Sequence, residues 1–574
     1  MIDSVTLAVL KGRLEQIADE MDATLFRSAF NPIIAEAHDA SHGIYDAGNG
    51  DTLVQGKSGL PIFVGVMAFA VRAVIDKAEA SGGVQPGDTW IFNDPYDGGT
   101  HLSDFRLVRP VFRPQPTATA DDSSAAGENR PEVFCYLASV GHWHDVGGNV
   151  PGNYNPAATE CFQEGMLIPP VKLFREGEMQ QDIVDILSAN TRLPNSLYGD
   201  LNGQINALDL GERRLHQLLD EYGDAQVSTA FDELRSRAET LMRKQIAELP
   251  DGSVGAEDYL DNDGIVDEPL TVALDLRVEG ERLVMDFSRS SAACAGPVNI
   301  SRSTTIAACY VALKHVFDDV PANAGVLRPV EFVIPEDSLL SVKAPKPVGG
   351  YTETILRLID VVFLAIAKIA PERACACAYG TINALALNGH RANGQRWVMF
   401  SFFGGGHGAH AEGDGLNHGN APISTATIPP LEILEAAYPV MFRQWALRAD
   451  SGGDGEYRGG LGAVYEIELL EQSAQGFLFG ERGRYAPQGV VGGSAGALNR
   501  FQFEQEDGVH SPPMASKMTG IQLQRGQAVR LETPGGGGYG NPSQRQPAQR
   551  LEDRRLGYTS ALVADATNAT ESSR

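Results

Sequence analysis

A short apolar run, Trp90-Ile91-Phe92, empties into Asn93-Asp94-Pro95-Tyr96-Asp97-Gly98-Gly99-Thr100-His101-Leu102-Ser103-Asp104. The run predicts the end of a strand. Asn-Asp-Pro and Asp-Gly-Gly force a turn, because Pro fixes one dihedral and Gly permits positive ones. The turn delivers His101 and Asp104 three residues apart, a spacing that sets both groups on one side of a helical turn, where they can share a metal ion. The design then recurs: an apolar strand from Phe134 to Val140 runs into Gly141-His142-Trp143-His144-Asp145, and Gly147-Gly148 follow. A lone His-x-x-Asp turn is more often a hydrogen-bonded loop than a ligand pair. Two turns built alike point to a metal site.

Charge narrows the class. Lys+Arg 46 against Asp+Glu 74 gives −28, and no basic stripe appears, so phosphate backbones are repelled and nucleic-acid binding is not expected. No apolar run approaches the roughly 18–20 residues of a membrane span, and no signal-peptide pattern opens the sequence. The six cysteines sit singly among apolar neighbours, Cys375-Ala376-Cys377 without the two-residue spacer of zinc or redox pairs. They predict reduced core thiols in a cytoplasmic protein. Gly56-Lys57-Ser58 mimics the end of a phosphate-binding loop, but five residues separate it from Gly50 where the pattern needs four, and Leu60-Pro61 intervenes. ATP binding there is rejected.

In chain order, Leu7, Leu10, Leu14, Ile17, Met21 and Leu25 predict an amphipathic helix over about 4–29. Residues 35–54 read as a β-hairpin, with Asp39 at a strand end able to complete a metal shell. His38 and His42 are plainer histidines. A helix is predicted over 62–80, and strands 105–111 and 132–140 are expected to pair. The low-complexity stretch 112–131 between them reads as a mobile insertion. Helical patterns fill 179–249; strands fill 270–288; apolar helices are expected at 302–316 and 353–370. The fold class that follows is mixed α/β (α+β) and multi-lobed. A metal-site region covers 1–250, a strand- and Gly-rich region 251–542, and a polar disordered tail 543–574. The glycine runs at 404–406, 459–460 and 535–538 let backbone pack against backbone or ligand. Arg357 and Asp360 share a helical face and predict an ion pair, Arg458 a turn brace; His407 is left without a role.

These motifs in this order resemble the hydantoinase B/oxoprolinase family over residues 3–542. The resemblance rests on Glu36 to Ser41 with Tyr45-Asp46, Asn93 to Asp104, His142 to Gly148, Glu164-Gly165 with Pro169-Pro170, Tyr457 to Gly460 and Thr533 to Gly540. Where the family commonly has a histidine after a Leu-Pro-Ile-like sequence, this chain has Phe63. The resemblance implies a metal shell of Asp39, His101, Asp104 and His142, with His144 and Asp145 as further catalytic candidates, Asp145 as ligand or as orienter. Two imidazoles and two carboxylates suit Zn²⁺ first, then Mn²⁺ or Fe²⁺.

It further implies a hetero-oligomer, A2B2 or larger, with a hydantoinase-A-like subunit that binds ATP and Mg²⁺. That partner phosphorylates the oxygen of a cyclic amide (hydantoin, 5-oxoproline or lactam), and metal-bound water on this chain opens the ring. The alternative is a subunit of a ketone carboxylase of the acetone or acetophenone type. A non-catalytic scaffold fits less well, because structural zinc sites close with Cys and His.

Overall fold

The structure, a computed structural model, describes residues 2–113, 131–424 and 427–560. It is a mixed α/β protein: among the described residues, ten α-helices surround four sheets. The expected insertion falls almost entirely on residues 114–130, and the end of the expected tail on 561–574, both outside the described residues.

A seven-stranded antiparallel sheet carries the two predicted turns. Its middle is formed by the adjacent strands Ala40–Asp46, Val133–His142, Asp104–Phe112 and Thr89–Phe92. One face is covered by the helix Ser4–Ser28, whose Leu7, Leu10, Leu14, Ile17, Met21 and Leu25 are buried, and by Pro194–Tyr222. The helix Pro61–Glu79 covers the other, and then packs on Arg302–Val316, which packs on Tyr351–Ile369. Gly65 permits the first crossing, since a Cβ there would press on the backbone of Ala307. One apolar core joins Phe63 and Tyr136 to Phe287, Phe363 and Phe479, so residues on both sides of 250 share it. Burying side chains of this size stabilises by about 1.5–3 kcal/mol each before entropy is counted.

Two further sheets build the last third, with Leu387, Trp397, Tyr465 and Leu523 between them. Beside them the glycine runs form a bundle of extended backbone. Gly405 and Gly419 exchange N–H···O bonds (3.0 and 2.8 Å), Gly536 N–H reaches Gly460 O (2.9 Å), and Gly453 N–H reaches Gly536 O (2.9 Å). Backbone packs on backbone here, as the sequence suggested.

The tail differs from expectation over 543–560. Pro547–Arg555 is helical, and Asp553 is buried against Arg458 and Arg545. Lack of apolar periodicity hid a segment held by ion pairs rather than by a greasy face.

Candidate metal centre

Strand register brings the two turns together. Asp104 opens one strand directly opposite His142, which closes its neighbour. On the other flank of that neighbour Ala40 pairs with Gly141, and His142 N–H donates to Asp39 O (3.1 Å). Side chains directly opposite in an antiparallel pair have Cβ atoms ~5 Å apart, so three sequence-distant residues gather at one strand end.

The first turn is clamped from within. Buried Asn93 donates to Leu102 O (2.7 Å) and Met166 O (2.8 Å), and accepts from Ile168 N–H (2.7 Å). Thr304, in the first turn of its helix, donates to Gly99 O (2.9 Å). The second turn is held by Trp143, stacked on Phe105 (centroids 3.9 Å) and donating to Gln204 (2.9 Å).

His101, Asp104 and His142 form a buried cluster whose potential ligand atoms lie within 4.8 Å of one another. His101 Nδ1 is 2.6 Å from Asp104 Oδ2, and His142 Nδ1 is 3.2 Å from Asp104 Oδ1. Thr100 Oγ1 donates to the same carboxylate. Burial alone would raise the Asp104 pKa; the charges and hydrogen bonds of His101 and His142 outweigh it and hold the carboxyl well below the usual range. His101 Nε2 is buried with no hydrogen-bond partner. A buried orphan nitrogen beside a carboxylate and a second imidazole is a donor set that a divalent cation fits.

Asp39 stands next to this cluster rather than in it. It lines a cavity of about 40 Å³ together with His142, and burial pushes its pKa up to about 7, against the pull of His142 and with the push of Asp104. His144 and Asp145 are placed elsewhere. Asp145 accepts from Arg192 N–H (2.9 Å), the Arg192 guanidinium (3.0 Å) and Gly147 N–H (3.2 Å), which makes it the anchor of its loop. Burial lowers the His144 pKa to about 4, and this ring does not line the cavity.

Sequence reasoning missed the rest of the cavity, above all Tyr154, Tyr351, Thr352 and Phe400. The His101 ring lies 4.8 Å from Tyr351 and 5.7 Å from Tyr154. Burial, then the charge of Asp104, raises both phenols well above their usual pKa, so both stay protonated. The one available signal was Gly349-Gly350 just before Tyr351, a further glycine pair beside an aromatic residue.

Other candidates resolve into structure. Arg357 and Asp360 pair at 2.9 Å inside a buried network with Arg482 and Asp258. Cys377 lies beside those carboxylates, but the two guanidiniums already compensate them. His42 bridges Asp22 (2.7 Å) and Ser139 (2.9 Å) in the sheet. His407 bonds Asn420 O, and Arg458 braces its turn through Gly459 O. At Gly56-Lys57 the Lys57 N–H goes to Asp19 (2.7 Å) and Asp22 crowds Gly56, so carboxylates stand where a phosphate would. All six cysteines are free, and among the described residues no helix is long and apolar enough to cross a membrane.

Over residues 3–542 the chain matches the hydantoinase B/oxoprolinase family, and it belongs to that family. It is 31% identical to the beta subunit of the caprolactamase of Pseudomonas jessenii, covering 97% of this chain and 94% of that one. It is 27% identical to the B component of a putative D-/L-hydantoinase from a Pseudomonas strain, over 100% and 96%. The crystal structure of the ATP-dependent caprolactamase from Pseudomonas jessenii superposes with a TM-score of 0.87 at 30% identity, covering 98% of this chain and 95% of that one. An acetone carboxylase structure shares the fold, with a TM-score of 0.86 at 18% identity over 97% and 78%.

Proposed function

We propose that this chain is the metal-holding subunit of an ATP-dependent cyclic amide hydrolase. The observation that carries the reading is the orphaned His101 Nε2 beside Asp104 and His142, the last of which lines a small cavity. The relatives named as an ATP-dependent caprolactamase and a hydantoinase supply the reaction class.

His101, Asp104 and His142 would hold the cation, with Asp39 beside them on the cavity side, an N/O set that suits Zn²⁺, Mn²⁺ or Fe²⁺. A cation bound there supplies Lewis acidity, polarising an oxygen or bringing the pKa of water towards 7. The chain's own residues do the rest. Asp104 orients both imidazoles. The protonated Tyr154 and Tyr351 donate hydrogen bonds to the reacting amide. Ile62, Phe400 and Phe402 keep bulk water away.

A resonance-stabilised amide is a poor electrophile. A hydantoinase-A-like partner therefore uses ATP to phosphorylate its oxygen, the amide N–H giving up its proton; water adds to that carbon, the C–N bond breaks as the ring nitrogen takes a proton, and a second water splits the resulting acyl phosphate into carboxylate and inorganic phosphate. The test uses the two-subunit complex with ATP, a panel of hydantoins, lactams and ketones, and isotope-labelled bicarbonate. ADP release with an unlabelled, ring-opened product is expected. Label retained in a new carboxylate would make this a ketone carboxylase subunit instead.

A further inference from the structure

The helix Pro194–Tyr222 lies against both strands whose ends carry the metal turns. It buries two polar side chains there, Asp200 and Gln204, four residues apart and therefore on one face. A buried amide is unfavourable unless its polar atoms are paired, and both ends of Gln204 are. Its Oε1 accepts from Trp143 Nε1–H (2.9 Å), and its Nε2 donates to Phe105 O (3.0 Å) and Ser139 Oγ (3.3 Å). The same amide lies over Gly141, 3.6 Å from where a Cβ would stand.

These partners bracket two of the three clustered residues. Phe105 follows Asp104, and Gly141 and Trp143 flank His142. Asp104 and His142 form the last pair of their ladder, so no further strand pairing beyond them fixes their separation. Asp200 supplies a second tie from the same helix face. Its Oδ1 accepts from the N–H groups of Phe30 (2.9 Å) and Asn31 (3.1 Å), and Asn31 Nδ2 donates to His142 O (2.8 Å).

The chain of bonds also runs on from Ser139, away from the cluster. His42 donates Nδ1–H to Asp22 Oδ1 (2.7 Å) and accepts from Ser139 Oγ at Nε2 (2.9 Å). Asp22, His42 and Ser139 have the order of a hydrolytic triad, yet none is more than 1% exposed, and a substrate does not reach them. Their effect is to tie Gln204 through the sheet to the helix Ser4–Ser28, which carries Asp22. The amide is thereby held at every polar end, as a brace must be.

Resting on the metal-holding reading above, we propose that Gln204 is a positioning residue of the metal centre. It touches neither cation nor substrate. It fixes the ends of two strands so that Asp104 and His142 stay at the separation in which both can hold one ion.

The experiment strips the two-subunit complex of metal and titrates it with Co²⁺, whose visible bands report occupancy and coordination geometry. Each titration is run well below the unfolding midpoint of the variant. Gln204→Met keeps the size and removes the amide; Co²⁺ binding is expected to weaken by about 10-fold or more, the scale for groups that orient metal ligands, with shifted bands. Gln204→Glu keeps an acceptor for Trp143 and loses both donors, so a smaller loss is expected. It carries the test if Gln204→Met gives no soluble complex. Arg192→Ala, which loosens a neighbouring loop outside the bracket, is the comparison: its midpoint falls and its Co²⁺ affinity stays. Unchanged affinity and bands in the Gln204 variants, even with a lower midpoint, would reduce Gln204 to a core brace and overturn the assignment while leaving the metal reading intact. If the unsubstituted complex binds no Co²⁺ that His101→Ala abolishes, the metal reading falls, and the role of Gln204 falls with it.

Discussion

His101 and Asp104 meet through a 2.6 Å contact between Nδ1 and Oδ2 that leaves His101 Nε2 buried and unpartnered. On the proposed metal reading, His101→Ala leaves too few donors to enclose a cation. Metal content, read by elemental analysis of the purified complex, is expected to fall to background, with kcat down by at least about 100-fold. Full occupancy in the variant would remove His101 from the shell.

Asp145, only three residues past His142, is predicted to behave differently. Its carboxylate is buried and paired with Arg192 at 3.0 Å. Arg192→Ala strands that charge, a change that costs about 3–5 kcal/mol for fully buried pairs and less here, where Arg192 keeps some exposure. The expected outcome is a thermal midpoint several degrees lower with metal content unchanged. Loss of metal at unchanged stability would return Asp145 to the ligand set.

The contrast shows what the sequence made legible. The two turns, their strands and the helices over 4–28, 61–79 and 302–316 were visible because punctuation and periodicity are local. The turns that bring His101, Asp104 and His142 to one strand end were visible for the same reason. Asp145 looked like its neighbours because a ligand and a loop anchor use the same carboxylate, and its partner Arg192 lies forty-seven residues on. Tyr154, Tyr351 and Phe400 come from three distant elements and carry no local mark, since an aromatic residue reads as core wherever it falls. The helix Pro547–Arg555 was missed because ion pairs with Arg458 and Arg545, not an apolar stripe, hold it.

Stability is predicted to fall as pH rises through neutrality, and Glu164 contributes to the fall. Burial outweighs the N–H groups that Val348 and Gly349 donate to it, and pushes its pKa from 4.5 up to about 8. An acid whose folded pKa is raised keeps its proton in the native state between about pH 4.5 and 8, while the unfolded chain releases it. The native state binds more protons across that window, so stability declines with pH by at most about 1.4 kcal/mol per unit from this one group. Glu164→Gln should therefore flatten the curve of denaturation midpoint against pH between 5 and 8. An identical slope in the variant would show that Glu164 is ionised in the native protein.

Two glycines are predicted to respond to alanine with opposite signs. Gly12 is exposed in the helix Ser4–Ser28, with nothing near its missing Cβ. Gly12→Ala should stabilise by about 0.5–1 kcal/mol, because a helical Ala gives up less backbone entropy than Gly. Gly536 sits inside the backbone bundle, where a Cβ would overlap the carbonyl of His407. That carbonyl also accepts from Gly460 N–H (2.8 Å), and Gly536 itself links Gly460 to Gly453. The clash cannot be relieved by rotating a side chain, so Gly536→Ala must push neighbouring backbone segments away from each other and break several hydrogen bonds, at about 1 kcal/mol each. A drop of several degrees in thermal midpoint, or loss of soluble protein, is expected for Gly536→Ala. A midpoint within a degree of the unsubstituted protein would mean that the bundle yields, and that its glycines serve something other than close packing.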